Sequence, residues 1–188
     1  MSAAVVPAAG SASRFGGGKL IALVDGVPLL DRTLSALLEA GIDRVIVVTP
    51  LDANWGAAVR GLSDPRVRRV VNPDPSRGMF SSIQIGIREA DSGPIAILPG
   101  DMPFVRAETV ARVLHAAVDT GAMVSPRFEG RRGHPIMLPF DLREAVVNAP
   151  ATAMLNEVLR PYRDRIANLD VEDRGVVRDV DVVEDLVS

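Results

Sequence analysis

Ala3-Ala4-Val5-Val6-Pro7-Ala8-Ala9-Gly10-Ser11-Ala12-Ser13-Arg14-Phe15-Gly16-Gly17-Gly18-Lys19-Leu20 is the stretch whose reading decides the fold. Its first four residues are uninterruptedly apolar, the pattern of a parallel strand buried on both faces. The chain then breaks into small residues, Ala8 to Ser13, before Arg14 and, beyond three glycines, Lys19. Small side chains let phosphate oxygens lie against backbone N–H groups. Arg14 and Lys19 bring a planar fork and a point charge to the same loop. A flexible strand-to-helix connection would account for the glycines but not for the order strand, small loop, arginine, lysine. The stretch therefore points to a nucleoside triphosphate site.

Two common phosphate loops are excluded by spacing. Counting back from Lys19 puts Ser13 where a P-loop needs its first glycine, and Leu20 replaces the magnesium-binding hydroxyl. The dinucleotide pattern Gly-x-Gly-x-x-Gly fails because Gly16 and Gly18 are followed by Ile21. Composition narrows the class further. A chain of 188 residues with 47% apolar content can bury a core as one domain, expected here over residues 1–188. With Cys 0 there is no disulfide framework, thiolate nucleophile or iron–sulfur ligand. The apolar runs are too short to span a membrane, and the N-terminus lacks the basic region of a signal peptide. A net charge of -3 with scattered signs argues against a nucleic-acid surface. The expectation is a soluble, cytoplasmic protein.

Outward from the loop, Ile21 to Val24 closes on the turn Asp25-Gly26, and a helix follows from Pro28 with Leu30, Leu34, Leu37 and Leu38 on one face, ending at Gly41. Val45 to Thr49 is a second buried strand. Ala53 to Leu62, carrying Trp55, predicts a helix, and Val67 to Val71 alternates with arginines like an edge strand. A long turn-rich loop runs from Asn72 to Gly78, the kind of connection on which α/β folds place ligands. Met79 to Ala90 fits either period. The need for a parallel crossover favours a helix capped by Ser81 or Ser82. Pro94 to Leu98 is a strand, and Glu108 to Val118 an amphipathic helix with Val110, Val113, Leu114, Ala117 and Val118 inward. Ala122 to Ser125 and Pro135 to Leu138 are strands flanking a glycine turn, followed by short helices at Asp141 to Asn148 and Thr152 to Leu159. A strand at Ile166 to Val171 and a helix at Val182 to Val187 finish the chain. Alternating strands and helices predict a three-layer α/β/α, Rossmann-like, mostly parallel sheet.

Asp101 is the strongest single chemical candidate. It follows a buried strand within Gly100-Asp101-Met102-Pro103, so its carboxylate should emerge at the carboxyl edge of the sheet, where such folds bind ligands. A turn or capping aspartate is the alternative. Asn72 could read a base edge and Gly78 could let a ligand approach the backbone, or both could simply build a capped turn with Met79 packed beneath. Arg131 and Arg132 in the glycine turn suit a phosphate-bearing acceptor, whereas His115 reads as surface.

The pattern Ala8-Ala9-Gly10, Arg14-Phe15-Gly16, Lys19-Leu20 resembles the signature of the MobA-like nucleotidyltransferases, nearest to the molybdenum cofactor cytidylyltransferases. Four later blocks extend the resemblance: Asn72-Pro73-Asp74 with Gly78 to Ser82, Gly100 to Pro103, Arg132-Gly133-His134-Pro135, and Asp179-Val180-Asp181 leading to Glu184-Asp185-Leu186. In the last, Val182 and Val183 stand where the family has Thr and Pro. The resemblance implies one antiparallel strand in the sheet of the nucleotide-diphospho-sugar transferase type. It also implies transfer of CMP from CTP to the phosphate of molybdopterin or its molybdenum form, releasing pyrophosphate. Magnesium would sit on Asp101 and Asp181, with Asp181 otherwise an acidic helix start. Arg14, Lys19 and Asp101 would be catalytic. Ala8, Ala9, Gly10, Ser11, Arg14, Lys19, Asn72, Asp74, Gly78 and Ser82 would border the nucleotide, and Arg131, Arg132 and His134 the acceptor. A molybdoenzyme or its maturation chaperone would be the partner. Two alternatives stay open: GTP or a sugar or alditol phosphate as substrate on the same fold, and a non-catalytic molybdenum-cofactor binding or insertion protein.

Overall fold

The computed structural model describes residues 1–10, 18–91 and 93–180. Ser11, Arg14, Asp181 and the terminal helix expected at Val182 to Val187 lie outside the described residues. In chain order the regular elements are β1 (Ala3–Pro7), β2 (Leu23–Val24), β3 (Val27–Pro28), α1 (Leu29–Glu39), β4 (Arg44–Pro50), β5 (Val67–Asn72), α2 (Met79–Arg88) and β6 (Ile95–Ile97). They continue with α3 (Ala107–Thr120), β7 (Met123–Phe128), β8 (Arg131–Arg132), β9 (Ile136–Leu138), α4 (Arg143–Val147), α5 (Leu155–Leu159) and β10 (Ile166–Asp170). Strand order across the main sheet is β10-β7-β9-β6-β1-β4-β5. All pairings are parallel except those of β9 with β6 and β7, and of the short β8 with β7.

The apolar runs are continuous because both faces of the sheet are covered. Ala4, Val6, Val45 and Val47 face a core completed by Leu30, Leu34 and Leu37 of α1 and Val110, Val113 and Ala117 of α3. The alternate residues Ala3, Val5, Ile46 and Val48 face Phe80, Ile83 and Ile87 of α2, with Val146 of α4 and Leu159 of α5 beyond. Leu30, Leu34 and Leu37 are fully buried, each removing enough apolar surface to contribute roughly 1.5–3 kcal/mol. Three layers result, with β1 central and both β5 and β10 at edges. Asp25 and Gly26 both take positive φ (51° and 78°), the geometry that a two-residue hairpin between β2 and β3 requires. Gly41 and Gly121, at φ +86° and +64°, end α1 and α3.

Four sequence expectations are corrected. Residues 53–62 form turns and a short 3-10 segment, Arg60–Ser63, instead of a helix. The buried carboxylate of Asp31 draws in the N–H groups of Arg60 (3.0 Å) and Gly61 (2.7 Å), so tertiary hydrogen bonds replace helical ones. α2 is preceded by Gly78 with no side-chain cap, and Ser81 and Ser82 lie inside its first turn. Met79 is exposed, so it does not pack beneath the capped turn that the alternative reading of this block expects. Val118 projects to solvent because the inward stripe of α3 stops at Ala117.

Candidate active site

The sheet brings the two most informative stretches together, since β1 and β6 are parallel neighbours and both end at the same edge. Beyond the strands the pairing continues: Leu98 N–H donates to Val5 O (3.1 Å) and Gly100 N–H to Pro7 O (3.1 Å). Gly100 fits between Leu30, Pro7 O and Ala8, where an added Cβ would lie 3.3–3.5 Å from each. Thr33 of α1 donates its hydroxyl to Gly100 O at 3.2 Å. Held this way, Asp101 emerges at the carboxyl edge, and Lys19 Nζ lies 2.8 Å from its Oδ2. The two side chains retain 14% and 22% exposure, so the pair is shielded yet open to a ligand. Among the described residues, Asp101 Oδ1 has no protein donor.

A strap from the C-terminal region forms the facing wall. Asp173 is buried and accepts from Gly175 N–H (2.9 Å) and Arg106 N–H (2.9 Å), turning the chain into a short 3-10 segment at Arg174–Val177. Gly175 lies against Phe104 O and Gly133 against Val176 O, both at separations that admit no side chain. His134 N–H donates to Val176 O (2.8 Å) and Val180 N–H to Asp101 O (3.0 Å). Arg178 stacks 3.9 Å over the Phe104 ring. The outcome is a cleft of about 280 Å³ whose walls include Asp101, Asp179, Arg131, Arg132, His134 and Met79.

His134 is held through its backbone N–H and through one ring nitrogen. Its Nδ1 lies 3.0 Å from Ile97 O, and since a carbonyl only accepts, Nδ1 carries the proton and Nε2 of the neutral ring keeps the lone pair. Burial pushes the imidazole below its ordinary value, against the opposing pull of the Ile97 carbonyl and of the carboxylates Asp101 and Asp179. The His134-Pro135 bond is cis.

The other expected site residues separate into three groups. Ala8 and Ala9 are buried, and Ala8 N–H is spent on Val48 O at 2.8 Å. Gly10 is exposed at the rim. Asn72 does not present its amide to a ligand. It is 2% exposed, its Nδ2 donates to Ser81 and Ser82 Oγ (2.9 Å each), and its Oδ1 accepts from Asp74 N–H (3.0 Å). Asn72 and Ser82 thus brace the β5–α2 loop from within. Asp74 is exposed on that loop. Gly78 sits at φ +87°, with open space where a Cβ would be, so backbone conformation demands the glycine. Arg131 and Arg132 are exposed on β8, with Arg132 Nε donating to Asn168 Oδ1 of β10 at 2.7 Å.

Residues 4–167 match the MobA-like NTP transferase domain. The chain belongs to this family. Among curated relatives it is 30% identical to the nicotine blue oxidoreductase of Paenarthrobacter nicotinovorans, over 97% of this chain and 93% of that protein. It is 22% identical to the molybdenum cofactor cytidylyltransferase of Escherichia coli K12, over 98% and 93%. A solved nucleotidyl transferase from Methanothermobacter shares the fold at a TM-score of 0.79 and 24% identity, covering 98% of this chain and 94% of the other. MobA-like membership makes the chain a nucleotidyltransferase by family.

A divalent cation fits the MobA-like cleft on chemical grounds. Among the described residues no protein donor reaches Asp101 Oδ1, and Asp179 lines the same cavity. Among the described residues no group of three or more His, Cys, Asp or Glu forms a metal cage. One or two carboxylates at an open edge is the donor set of a hard ion that completes its shell with phosphate and water. Sequence reasoning missed Thr33, Asp173 and Gly175, and named Gly133 only within the Arg132-Gly133-His134-Pro135 block. Only the Asp173-Arg174-Gly175 turn carried a local signal, because the others matter through tertiary contacts.

Proposed function

We propose that the protein transfers CMP from CTP to the terminal phosphate of molybdopterin, releasing pyrophosphate. The observation that carries this reading is the approach of Lys19 to Asp101, 82 residues apart in sequence and 2.8 Å apart at the carboxyl edge of β1 and β6. An acceptor phosphate oxygen attacks the α-phosphorus in line. A new P–O bond forms as the bond from the α-phosphorus to the bridging oxygen breaks, and pyrophosphate takes the electron pair. Such transfer depends on positioning and on charge stabilisation more than on covalent catalysis. Lys19 is suited to the charge that develops at the α-phosphoryl oxygens, and Arg14 to the departing pyrophosphate. Asp101, with Asp181 or Asp179, would hold magnesium, which supplies neutralisation of the triphosphate when bound. Arg131, Arg132 and His134 would receive the acceptor phosphate.

Relatives named as 2-C-methyl-D-erythritol 4-phosphate cytidylyltransferases, at 27% and 30% identity, support cytidine over the wider set of bases. A relative named as a molybdenum cofactor guanylyltransferase keeps GTP in the comparison. An oxidoreductase activity, as one relative's name suggests, gains no support from the first loop, which departs from the dinucleotide fingerprint.

The test is calorimetric binding of CTP, GTP, ATP and UTP with and without magnesium, followed by pyrophosphate release in the presence of molybdopterin. Magnesium-dependent preference for CTP is expected. Asp101→Ala should lower turnover by about 10³-fold or more while the protein stays folded. Full activity in that variant would refute the metal assignment.

A further inference from the structure

The transferase reading gives Lys19 to a phosphoryl oxygen and Asp101 to a divalent cation, yet Nζ and Oδ2 stand 2.8 Å apart and hold each other. We infer that this ion pair is a latch that couples metal binding to nucleotide binding. Lys19 occupies the Asp101 carboxylate until a triphosphate draws the ammonium away, and the carboxylate is then open to its metal. The inference rests on the transferase reading above and specifies how the two ligands help each other into that site.

Mutual exclusion carries it first. With the ammonium on Oδ2, the carboxylate keeps only Oδ1 for another cation. A divalent ion on Oδ1 would stand on the order of 5 Å from Nζ, where like charges repel. Both side chains are mostly shielded from solvent, so that repulsion is weakly screened. Separating shielded charges that hold each other is costly for whichever is left behind. A metal alone would drive Lys19 off its carboxylate, and a triphosphate alone would take Lys19 and leave Asp101 uncompensated. Arriving together, the two ligands compensate both charges. Each therefore binds better when the other is present, by the same factor in both directions.

The fold decides which half of the pair moves. Asp101 is fixed through its backbone: Gly100 N–H donates to Pro7 O (3.1 Å), Thr33 Oγ1 to Gly100 O (3.2 Å) and Val180 N–H to Asp101 O (3.0 Å). Lys19 opens the 3-10 segment Lys19–Ile21, and its carbonyl accepts from Ala22 N–H at 3.1 Å. That backbone is held as well, but a flexible stem separates it from Nζ. The ammonium can therefore swing to a phosphate while the sheet edge stays in place. Arg131 and Arg132 line the same cleft and make no ion pair with Asp101 among the described residues, so the latch belongs to Lys19.

The experiment uses manganese as the probe, because the paramagnetic resonance signal of the free aqua ion disappears on binding. Manganese alone is titrated into the wild type and into Lys19→Met, and CTP is titrated by calorimetry with and without it. Lys19→Met should bind manganese alone about tenfold more tightly than the wild type does, within the range of such couplings. The factor by which CTP and manganese assist each other should shrink by a similar amount in that variant. Adding Asp101→Asn to Lys19→Met should remove the gain, which locates it on that carboxylate. Arg131→Met takes a charge from the same cleft without touching the pair and should not reproduce the gain. Lys19→Gln should behave as Lys19→Met does, with thermal melting to establish that each variant folds. Unchanged, weaker or absent manganese binding in both Lys19 variants overturns the inference, as does an equal gain in Arg131→Met. Metal-dependent CTP binding by the wild type alongside either result would leave the transferase reading standing. An Asp101-dependent gain with no nucleotide bound by the wild type would refute the transferase reading and uphold Lys19 as the metal's competitor.

Discussion

Replacing Gly133 by alanine adds a single methyl group at the point where the hairpin meets the C-terminal strap. That Cβ would lie 2.0 Å from Val176 O and 2.5 Å from Val176 C, where a tolerable contact begins at 3.0 Å. The obstacle is backbone, so no side-chain rotation relieves it, and the strap must retreat by about 1 Å or more. The same carbonyl accepts from His134 N–H at 2.8 Å, and that retreat breaks the bond. A buried donor left unpaired costs about 1–3 kcal/mol, and residual overpacking against the fully buried Val176 adds to it. We expect a loss of about 2–4 kcal/mol, read as a fall in Tm of roughly 5–15 °C for a chain of this size. The strap also carries Asp179 and, through Val180 N–H, grips Asp101 O. A displacement of that size at the site should lower pyrophosphate release by about 100-fold. Gly56→Ala is the matched control, because its Cβ would meet nothing within 4 Å. If Gly133→Ala melts with the wild type and retains full turnover, the argument that the strap is locked against the hairpin is wrong.

Three further outcomes are expected. Asn72→Ala removes three hydrogen bonds at once, two of them buried, and should cost about 2–4 kcal/mol by urea denaturation. Its effect on nucleotide affinity should then track loosening of the loop. Gly86→Ala places a Cβ 2.3 Å from Val5 Cγ1 in the centre of the sheet, so despite alanine's better helix propensity it should destabilise by about 1–2 kcal/mol in thermal melts. His134 resists protonation in the folded chain, so below about pH 6.5 the unfolded chain takes up a proton that the native state does not. Stability should therefore fall with decreasing pH through that range, by at most about 1.4 kcal/mol per pH unit. Comparing urea midpoints at pH 7.5 and 5.5 in wild type and His134→Gln tests this, since the variant should lose that part of the dependence.

Most of the architecture was legible in the chain because it depends on local pattern. The runs Ala3 to Val6, Val45 to Thr49 and Pro94 to Leu98 are apolar without alternation, and that composition suits only strands covered on both faces. Gly41 stops α1 through φ, a property of one residue. The helix expected at residues 53–62 failed because its fate is settled by Asp31, some thirty residues away, whose buried carboxylate needs donors and finds them in Arg60 and Gly61. Asn72 misled for a related reason. An amide in a ligand-side loop looks the same in sequence whether it faces a base or, as here, Ser81, Ser82 and Asp74 N–H.

The sequence by itself determined the mostly parallel sheet, the break into small residues after β1, and Asp101 as a carboxylate at the sheet's edge. These follow from periodicity, small-residue loops and strand ends, all of them short-range. Only the tertiary structure decided that Lys19 meets Asp101 and that Asp179 joins them through a strap seated on Gly133 and Gly175. Contacts of that kind join residues tens of positions apart, and their geometry is set by how layers pack, which no local pattern encodes.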